Sequence, residues 1–146
     1  MPHQLILVVE DNPDHLELTV LTLKEHGFEG DIAVACDGAG ALDFLFGQGE
    51  HAERDTRHQP NLVLLDMRLP KLSGLEVMRS IKGNPLTAMV PVIMLTSSSE
   101  QSDMAASYQS GANAFVRKSI DFEAFSEKLK HLHAFWLGTN ETVLPG

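Results

Sequence analysis

The sequence has little of what secreted, membrane-bound or nucleic-acid-binding proteins need. A single cysteine, Cys36, cannot build a disulfide framework, which favours a reducing cytoplasm. No apolar stretch approaches the roughly 20 residues that span a bilayer. The apolar run Leu5 to Val9 meets Glu10 and Asp11 at once, unlike a signal peptide. Eleven basic against 20 acidic residues give a net charge of −9. We therefore expect a cytoplasmic protein that binds neither nucleic acid nor anionic membranes.

The rest of the composition is that of a globular domain. The chain has 146 residues, of which 43% are apolar, and five short apolar runs alternate with stretches of helical spacing. This alternation predicts an α/β fold with a five-stranded parallel sheet covered by helices on both faces. We expect one domain over residues 1–146, with a core at about 5–136 and a C-terminal tail at 137–146. The predicted strands are 5–9, 32–36, 61–65, 91–95 and 114–116.

The helical stretches carry residues that suit helix ends. Pro13 favours a helix start and Gly27 a helix end, whereas Asp37 is suited to cap a second, short helix. Two further helices are expected over 74–82 and near 100–110. The last helix starts near residue 121 and has a stripe of large apolar residues: Phe122, Phe125, Leu129, Leu132 and Trp136. The first four should pack on the sheet, while Trp136 is more open to a partner.

Polar residues follow four of the five predicted strands. Glu10 and Asp11 come after the first strand, Asp66 after the third, Thr96 after the fourth and Lys118 after the fifth. In an open parallel sheet, ligands bind beyond the carboxyl ends of the strands. Each residue alone suits a cap or a solvated loop, but together they place three acids, a hydroxyl and an amine on one rim.

This combination suits phosphoryl chemistry. Three carboxylates on one rim need a compensating cation, and hard oxygen ligands suit Mg²⁺, which binds one or two carboxylates together with a phosphate. One aspartate can act as the nucleophile that forms an acyl phosphate. A nearby lysine and a hydroxyl then help by positioning and neutralising the transferred group.

Four segments resemble response-regulator receiver domains, over about residues 5 to 135. They are LILVVEDNPDHLEL, NLVLLDMRLPKLSGLEVM, PVIMLTSS and GANAFVRKS. The resemblance implies the flavodoxin-like, doubly wound fold with strand order 2-1-3-4-5. It also implies that Asp66 is the phosphoacceptor and that a magnesium ion is held by Glu10, Asp11, Asp66 and the Met67 backbone carbonyl. The implied phosphoryl-binding residues are Thr96, Ser97 and Lys118, and the implied switch pair is Thr96 and Phe115.

The chain departs from the usual receiver pattern at three positions. Glu10 replaces the commoner aspartate, and Ser119 stands where most receivers have a proline after the lysine. Arg68, two residues past the phosphoacceptor, is a bulky cation that we expect to tune the phosphoryl lifetime by pairing with Glu10 or with the phosphoryl group.

A narrower resemblance points to the small receivers that work with bacterial and cyanobacterial phytochromes. The long 47–60 loop, Ser119 and the segment FWLGTNETVLP carry it. It implies a sensor histidine kinase of the bacteriophytochrome type as the phosphodonor and no attached output domain.

We expect output through a partner face, with a symmetric homodimer as its simplest form. Met104 and Tyr108 lie four residues apart on the predicted fourth helix, and both are large for exposed positions. With Phe115, the last helix and Trp136 they would form the dimer contact, which Leu137, Val143 and Leu144 of the tail could extend.

Two other functions remain open. An aspartyl-phosphate phosphatase could use Asp66 as its nucleophile, but such enzymes usually place a second acid where Arg68 stands. A pseudo-receiver that only binds partners is the other reading, which the full set of Asp11, Asp66, Thr96 and Lys118 disfavours.

Overall fold

The computed structural model describes residues 3–141 and contains one five-stranded sheet flanked by five α-helices. The strands are β1 Leu5–Val9, β2 Asp31–Ala35, β3 Leu62–Asp66, β4 Val92–Thr96 and β5 Ala114–Arg117. The α-helices are α1 Pro13–Glu25, α2 Gly38–Phe46, α3 Gly74–Lys82, α4 Gln101–Gln109 and α5 Phe122–His133. A 3₁₀ turn at Gly49–His51 follows α2, and a π-helical turn at Ala134–Thr139 follows α5.

The sheet is entirely parallel, with strand order β2-β1-β3-β4-β5. The expected doubly wound fold and its order are therefore confirmed. The register also aligns the strand ends, because Val9 lies beside Leu65, and Thr96 lies beside Arg117. Each chain segment that follows these residues consequently starts at the same edge of the sheet.

Alternating strand residues fill two separate cores, one on each face of the sheet. Leu7, Val63 and Met94 face the core that α2 and α3 cover, whereas Ile6 and Leu64 face the core under α1 and α5. A strand buried on both faces needs apolar residues at every position, which explains the continuous runs in the sequence.

Side-chain caps determine where four of the helices begin. Asn12 accepts hydrogen bonds from the amides of Asp14 and His15, and Asp37 accepts one from Gly40 at 2.6 Å. Ser73 and Asp121 cap α3 and α5 in the same way. These caps include Asp37, as the sequence predicted, and the cap at Asn12 turns the chain directly after the acidic pair.

Strand bounds differ slightly from the predicted ones. β2, β3 and β4 are 31–35, 62–66 and 92–96 instead of 32–36, 61–65 and 91–95, and β5 extends to 117. The side-chain oxygen of Asn61 accepts a hydrogen bond from the Leu5 amide at 2.9 Å, and Pro91 has no amide hydrogen to donate. Both residues therefore stand just before their strands.

The prediction that Phe122 packs on the sheet is wrong. Phe122 is 61% exposed, whereas Phe125, Leu129 and Leu132 are buried as expected. Phe122 is the first residue of α5, and it lies in a groove beside Leu18 of α1 on the outer side of the two helices. The apolar stripe thus begins one turn later than its spacing indicated.

The chain after α5 only partly matches the expectation of an open tail. Trp136 is half-buried against the core under α1 and α5, together with Leu137. Val143 and Leu144, which were expected to extend the partner face, lie outside the described residues. Among residues 3–141, no helix is long and apolar enough to cross a membrane.

Candidate phosphoryl site at the carboxyl edge of the sheet

The acidic pair after β1 occupies two different environments. Glu10 is buried, and its amide donates to the Ala35 carbonyl at 3.0 Å, so β2 holds it at the sheet edge. Its Oε2 accepts the Asn12 amide at 3.3 Å. Asp11 is exposed. The turn made by the Asn12 cap therefore buries the first acid and presents the second to solvent.

Three carboxylates meet at this edge. Glu10, Asp11 and Asp66 each offer one oxygen, and these oxygens lie within 4.8 Å of one another. Lys118 provides the counter-charge, because its Nζ contacts Glu10 Oε1 directly and lies 3.4 Å from Asp66 Oδ2. The structure thus brings together the acids and the lysine that the sequence placed on one rim.

The surroundings of Asp66 raise its pKa. Burial is the main reason why its pKa is raised to about 6, and hydrogen bonding with Glu10 adds to the effect. The positive charge of Lys118 and the amide of Arg68, which lies 3.4 Å from Asp66 Oδ1, act in the opposite direction. Because burial disfavours the charged form of Asp66, a further cation beside this carboxylate would be stabilising.

The hydroxyl residues after β4 differ in burial. Thr96 is buried, and its Oγ1 accepts the Ser98 amide at 3.1 Å. Ser97 is exposed, and no described hydrogen bond joins its side chain to the carboxylates. Phe115, on neighbouring β5, is half-buried against the core under α2 and α3. Thr96 and Phe115 therefore lie on adjacent strands.

Arg68 does not pair with Glu10, which was one of its two expected partners. Its side chain is 77% exposed, and Nη2 lies 3.8 Å from Asp103 Oδ2 at the start of α4. Glu10 is instead occupied by Lys118, which lies deeper at the sheet edge. The Met67 carbonyl accepts the Gly74 amide at 2.9 Å, so this expected metal ligand already has one partner.

Three neighbours of the site were not identified from the sequence. His15 Nδ1 lies 3.3 Å from Lys118 Nζ and 3.7 Å from Glu10 Oε1. Ser98 donates its hydroxyl hydrogen to Asp103 at 2.5 Å. His15 could have been found from its place in the first turn of a helix that starts beside the acidic pair, whereas Asp103 had no comparable signal.

The residues of the expected partner face differ in exposure. Tyr108 is 50% exposed, whereas Met104 is half-buried, so only Tyr108 presents a largely accessible side chain. A cavity of about 440 Å³ lies between β5 and the end of α5. Its lining combines an apolar floor with basic side chains: Phe115, Val116, Leu132, Trp136, Arg117, Lys128 and His131.

The Lys118–Ser119 peptide bond is trans, as are all described peptide bonds. Ser119 Oγ accepts the Asp121 amide at 3.2 Å, which supports the turn into α5. The serine therefore acts as a local turn residue where the receiver pattern usually has a proline.

A parallel sheet of this order, with acids, a hydroxyl and a lysine at its carboxyl edge, defines a receiver domain. The family description "response regulator receiver domain" matches residues 6–130, and the chain belongs to this family.

Its relatives include regulators named for phytochromes. Response regulator Rcp1 from Synechocystis is 36% identical over 138 residues, which cover 94% of this chain and 92% of Rcp1. The Mn²⁺-bound Rcp1 structure matches with a TM-score of 0.88 at 34% identity, covering 96% and 99% of the two chains. The phosphorylated cyanobacterial phytochrome response regulator RcpA matches with a TM-score of 0.89 at 31% identity, covering 96% and 98%. The bacteriophytochrome response regulator AtBRR is 41% identical with a TM-score of 0.76, covering 99% of both chains.

Proposed function

We propose that this receiver takes a phosphoryl group from a histidine kinase onto Asp66 and signals through the surface that this modification changes. The observation that carries the proposal is the position of Asp66, which lies beside Glu10 and Asp11 and within 3.4 Å of the Lys118 Nζ atom. Residues 1–146 act in this proposal as one receiver domain, with its core at about 5–136 and a tail at 137–146.

The transfer is a displacement at phosphorus. A carboxylate oxygen of Asp66 attacks the phosphorus of a phosphohistidine, the P–N bond breaks, and the imidazole nitrogen keeps the electron pair. Lys118 neutralises charge on the phosphoryl oxygens, and Thr96 and Ser97 donate hydrogen bonds to them. Such a step needs positioning and charge neutralisation more than covalent help from the protein.

The donor set also fits a divalent cation. Carboxylate oxygens are hard ligands of the kind Mg²⁺ prefers, and Glu10, Asp11 and Asp66 carry more negative charge than Lys118 offsets. Asp11 and Asp66 would bind the ion directly, while Glu10, already paired with Lys118, would act directly or through water. A bound Mg²⁺ would neutralise charge on the phosphoryl oxygens.

Two backbone carbonyls after β3 are candidate ligands of the proposed magnesium ion. Because the Met67 carbonyl already accepts the Gly74 amide, only its second lone pair is free for a metal ion. The carbonyl of Arg68, the next residue in the same turn, is the alternative ligand.

The switch that we propose runs through Thr96 and Phe115. Movement of the Thr96 hydroxyl toward a phosphorylated Asp66 would vacate space beside β5, and Phe115 would then turn inward. Phe115 also lines the cavity beside α5, so its rotation would reshape that surface. This links the modified site to the proposed partner face.

We propose a bacteriophytochrome-type histidine kinase as the donor and the cytoplasm as the compartment. Support comes from the similarity to the phytochrome response regulators RcpA and AtBRR, which extends over nearly the whole chain. The exposed, unpaired Cys36 is consistent with a reducing compartment. We expect no nucleic-acid or membrane partner, because the chain carries a net charge of −9.

A symmetric homodimer is the proposed form of output. Met104, Tyr108, Phe115 and Trp136 supply apolar contact area on α4, β5 and the end of α5. The basic rim of the cavity offers a place for acidic residues of a second copy. Such reciprocal contacts are what a two-fold interface requires.

The two other functions make different predictions. A phosphatase would turn over phosphate continuously, but the position two residues past Asp66 carries Arg68, whose guanidinium pairs with Asp103 and cannot act as an acid. A pseudo-receiver would not accept a phosphoryl group at all. The buried Lys118 beside Asp66 argues against this function, because a pseudo-receiver has no need for it. We therefore regard the protein as a signalling receiver that loses its phosphoryl group slowly.

Incubation with acetyl phosphate and Mg²⁺, followed by intact-mass analysis, tests the proposal. We expect one added phosphoryl group on the wild type and none on Asp66→Asn. Continuous phosphate release with no stable adduct would indicate a phosphatase, and no adduct on the wild type would indicate a pseudo-receiver. Phosphotransfer from a bacteriophytochrome kinase in light and dark, compared with a kinase that lacks a photosensor, tests the proposed donor.

A further inference from the structure

Asp103 connects three parts of the site that are distant in the sequence. It lies in the first turn of α4, its side chain is 22% exposed, and its Oδ2 accepts the Ser98 hydroxyl at 2.5 Å. The same Oδ2 is 3.8 Å from Arg68 Nη2. Because the Ser98 amide donates to Thr96 Oγ1 at 3.1 Å, the contacts run from Thr96 through Ser98 and Asp103 to Arg68.

Once Asp66 carries a phosphoryl group, the Arg68 guanidinium can pair either with that group or with Asp103. Its amide lies 3.4 Å from Asp66 Oδ1, so its backbone is already at the site while its guanidinium is directed to Asp103. Phosphorylation adds strong acceptor oxygens that favour arginine. The existing pair is mostly exposed on the arginine side, and exposed ion pairs are weak. Asp103 and the phosphoryl group therefore compete for one guanidinium.

We propose that Asp103 is a positioning residue that draws Arg68 away from the phosphorylated Asp66 and thereby shortens the phosphoryl lifetime. This inference rests on the proposed function of Asp66. Hydrolysis requires a water oxygen to attack phosphorus, the bond from phosphorus to the Asp66 oxygen to break, and the water proton to leave with the phosphate or solvent. An arginine over the phosphoryl group blocks the path of that water, whereas an arginine held by Asp103 leaves it open.

The experiment is a double-substitution cycle on the full chain. Wild type, Arg68→Ala, Asp103→Asn and the double variant are phosphorylated with acetyl phosphate and Mg²⁺, and the donor is removed. Loss of the acyl phosphate is then followed by intact mass. We expect about threefold slower loss in Asp103→Asn and about threefold faster loss in Arg68→Ala, the scale that a weak ion pair supports. The double variant should decay like Arg68→Ala.

Glu100→Gln is the matched control. Glu100 precedes α4, is exposed and makes no side-chain cap, so the control removes the same charge from the same helix start without touching Arg68. We expect it to decay like the wild type. Asp103→Glu should restore the wild-type lifetime, and Asp103→Ser serves as a second neutral variant if Asp103→Asn does not fold.

Other outcomes overturn the inference. If neutral variants at Asp103 decay at the wild-type rate, or slow decay equally in the Arg68→Ala background, Asp103 does not act through Arg68. Slower decay in Glu100→Gln would mean that the charge at the start of α4, not the pair, sets the rate. These failures leave the proposed function intact, whereas a wild type that takes no phosphoryl group refutes the proposed function itself.

Discussion

The Nζ atom of Lys118 lies 3.4 Å from Asp66 Oδ2 and also contacts Glu10, so one ammonium group joins the ends of β1, β3 and β5. His15 adds a third neighbour at 3.3 Å. A lysine side chain with three such partners has little freedom to leave the site. The proposed phosphoryl site is therefore already assembled before any phosphoryl group arrives.

The raised pKa of Asp66 predicts a pH-dependent cost to stability without metal. A carboxyl whose pKa is about 6 in the folded chain and about 3.9 when unfolded stabilises the fold when protonated, and this stability is lost as the pH rises through 6. Asp66→Asn removes this loss. In EDTA, we expect the variant to match the wild type near pH 4.5 and to be more stable by about 1–2 kcal/mol at pH 7.5, after screening.

Urea unfolding at both pH values measures this difference. Asp43→Asn, a half-buried acid with no resolved role at the site, provides the control for loss of one negative charge. An advantage of Asp66→Asn that is the same at both pH values would contradict the assignment of the raised pKa to Asp66.

Magnesium should stabilise the folded protein through Asp11 and Asp66. A ligand that binds only the folded state adds about 1.4 kcal/mol to the free energy of unfolding at ten times its Kd. Thermal melts with and without Mg²⁺ should show this shift in the wild type and a much smaller one in Asp11→Ala. Asp14→Ala, an exposed acid in the first turn of α1, should keep the shift. A full shift in Asp11→Ala would remove Asp11 from the ligand set.

The proposed dimer depends on exposed residues of α4. Met104→Lys combined with Tyr108→Glu should weaken association while leaving the monomer folded, because Tyr108 is half exposed and Met104 only half-buried. Leu21→Lys, at an equally exposed apolar position on α1, is the control. Sedimentation with and without acetyl phosphate measures the dimer fraction. The same dimer population in the variant and the wild type, or monomers throughout, would show that the interface is wrong.

Two phenylalanines of α5 should differ strongly in their contribution to stability. Phe125 is 2% exposed and Phe122 is 61% exposed. Phe125→Ala should reduce the free energy of unfolding by about 3–5 kcal/mol, whereas Phe122→Ala should change it by less than about 1 kcal/mol. Urea denaturation of the two variants compares them directly. Similar losses would place Phe122 in the core after all.

The sequence alone predicted the fold and the acids, threonine and lysine at the carboxyl edge of the sheet, but not His15, Ser98 or Asp103. Apolar runs fully buried on both faces, punctuated by helix caps, are local signals, and they led to the parallel sheet and to the acids, threonine and lysine at its carboxyl edge. Strand bounds were off by one residue at Asn61, whose side chain accepts the Leu5 amide, and at Pro91, which has no amide hydrogen, and such details depend on neighbours in space.

Only the tertiary structure decided which side chains pair. Glu10 and Lys118 are 108 positions apart, and their contact leaves Glu10 paired without Arg68, so that only the second expected partner of Arg68, the phosphoryl group, stays a prediction. Arg68 turns to Asp103 because α4 brings that carboxylate to the edge of the site. Local periodicity determines which strand or helix a residue occupies, but the choice among several nearby charges depends on distances of a few ångströms that packing sets.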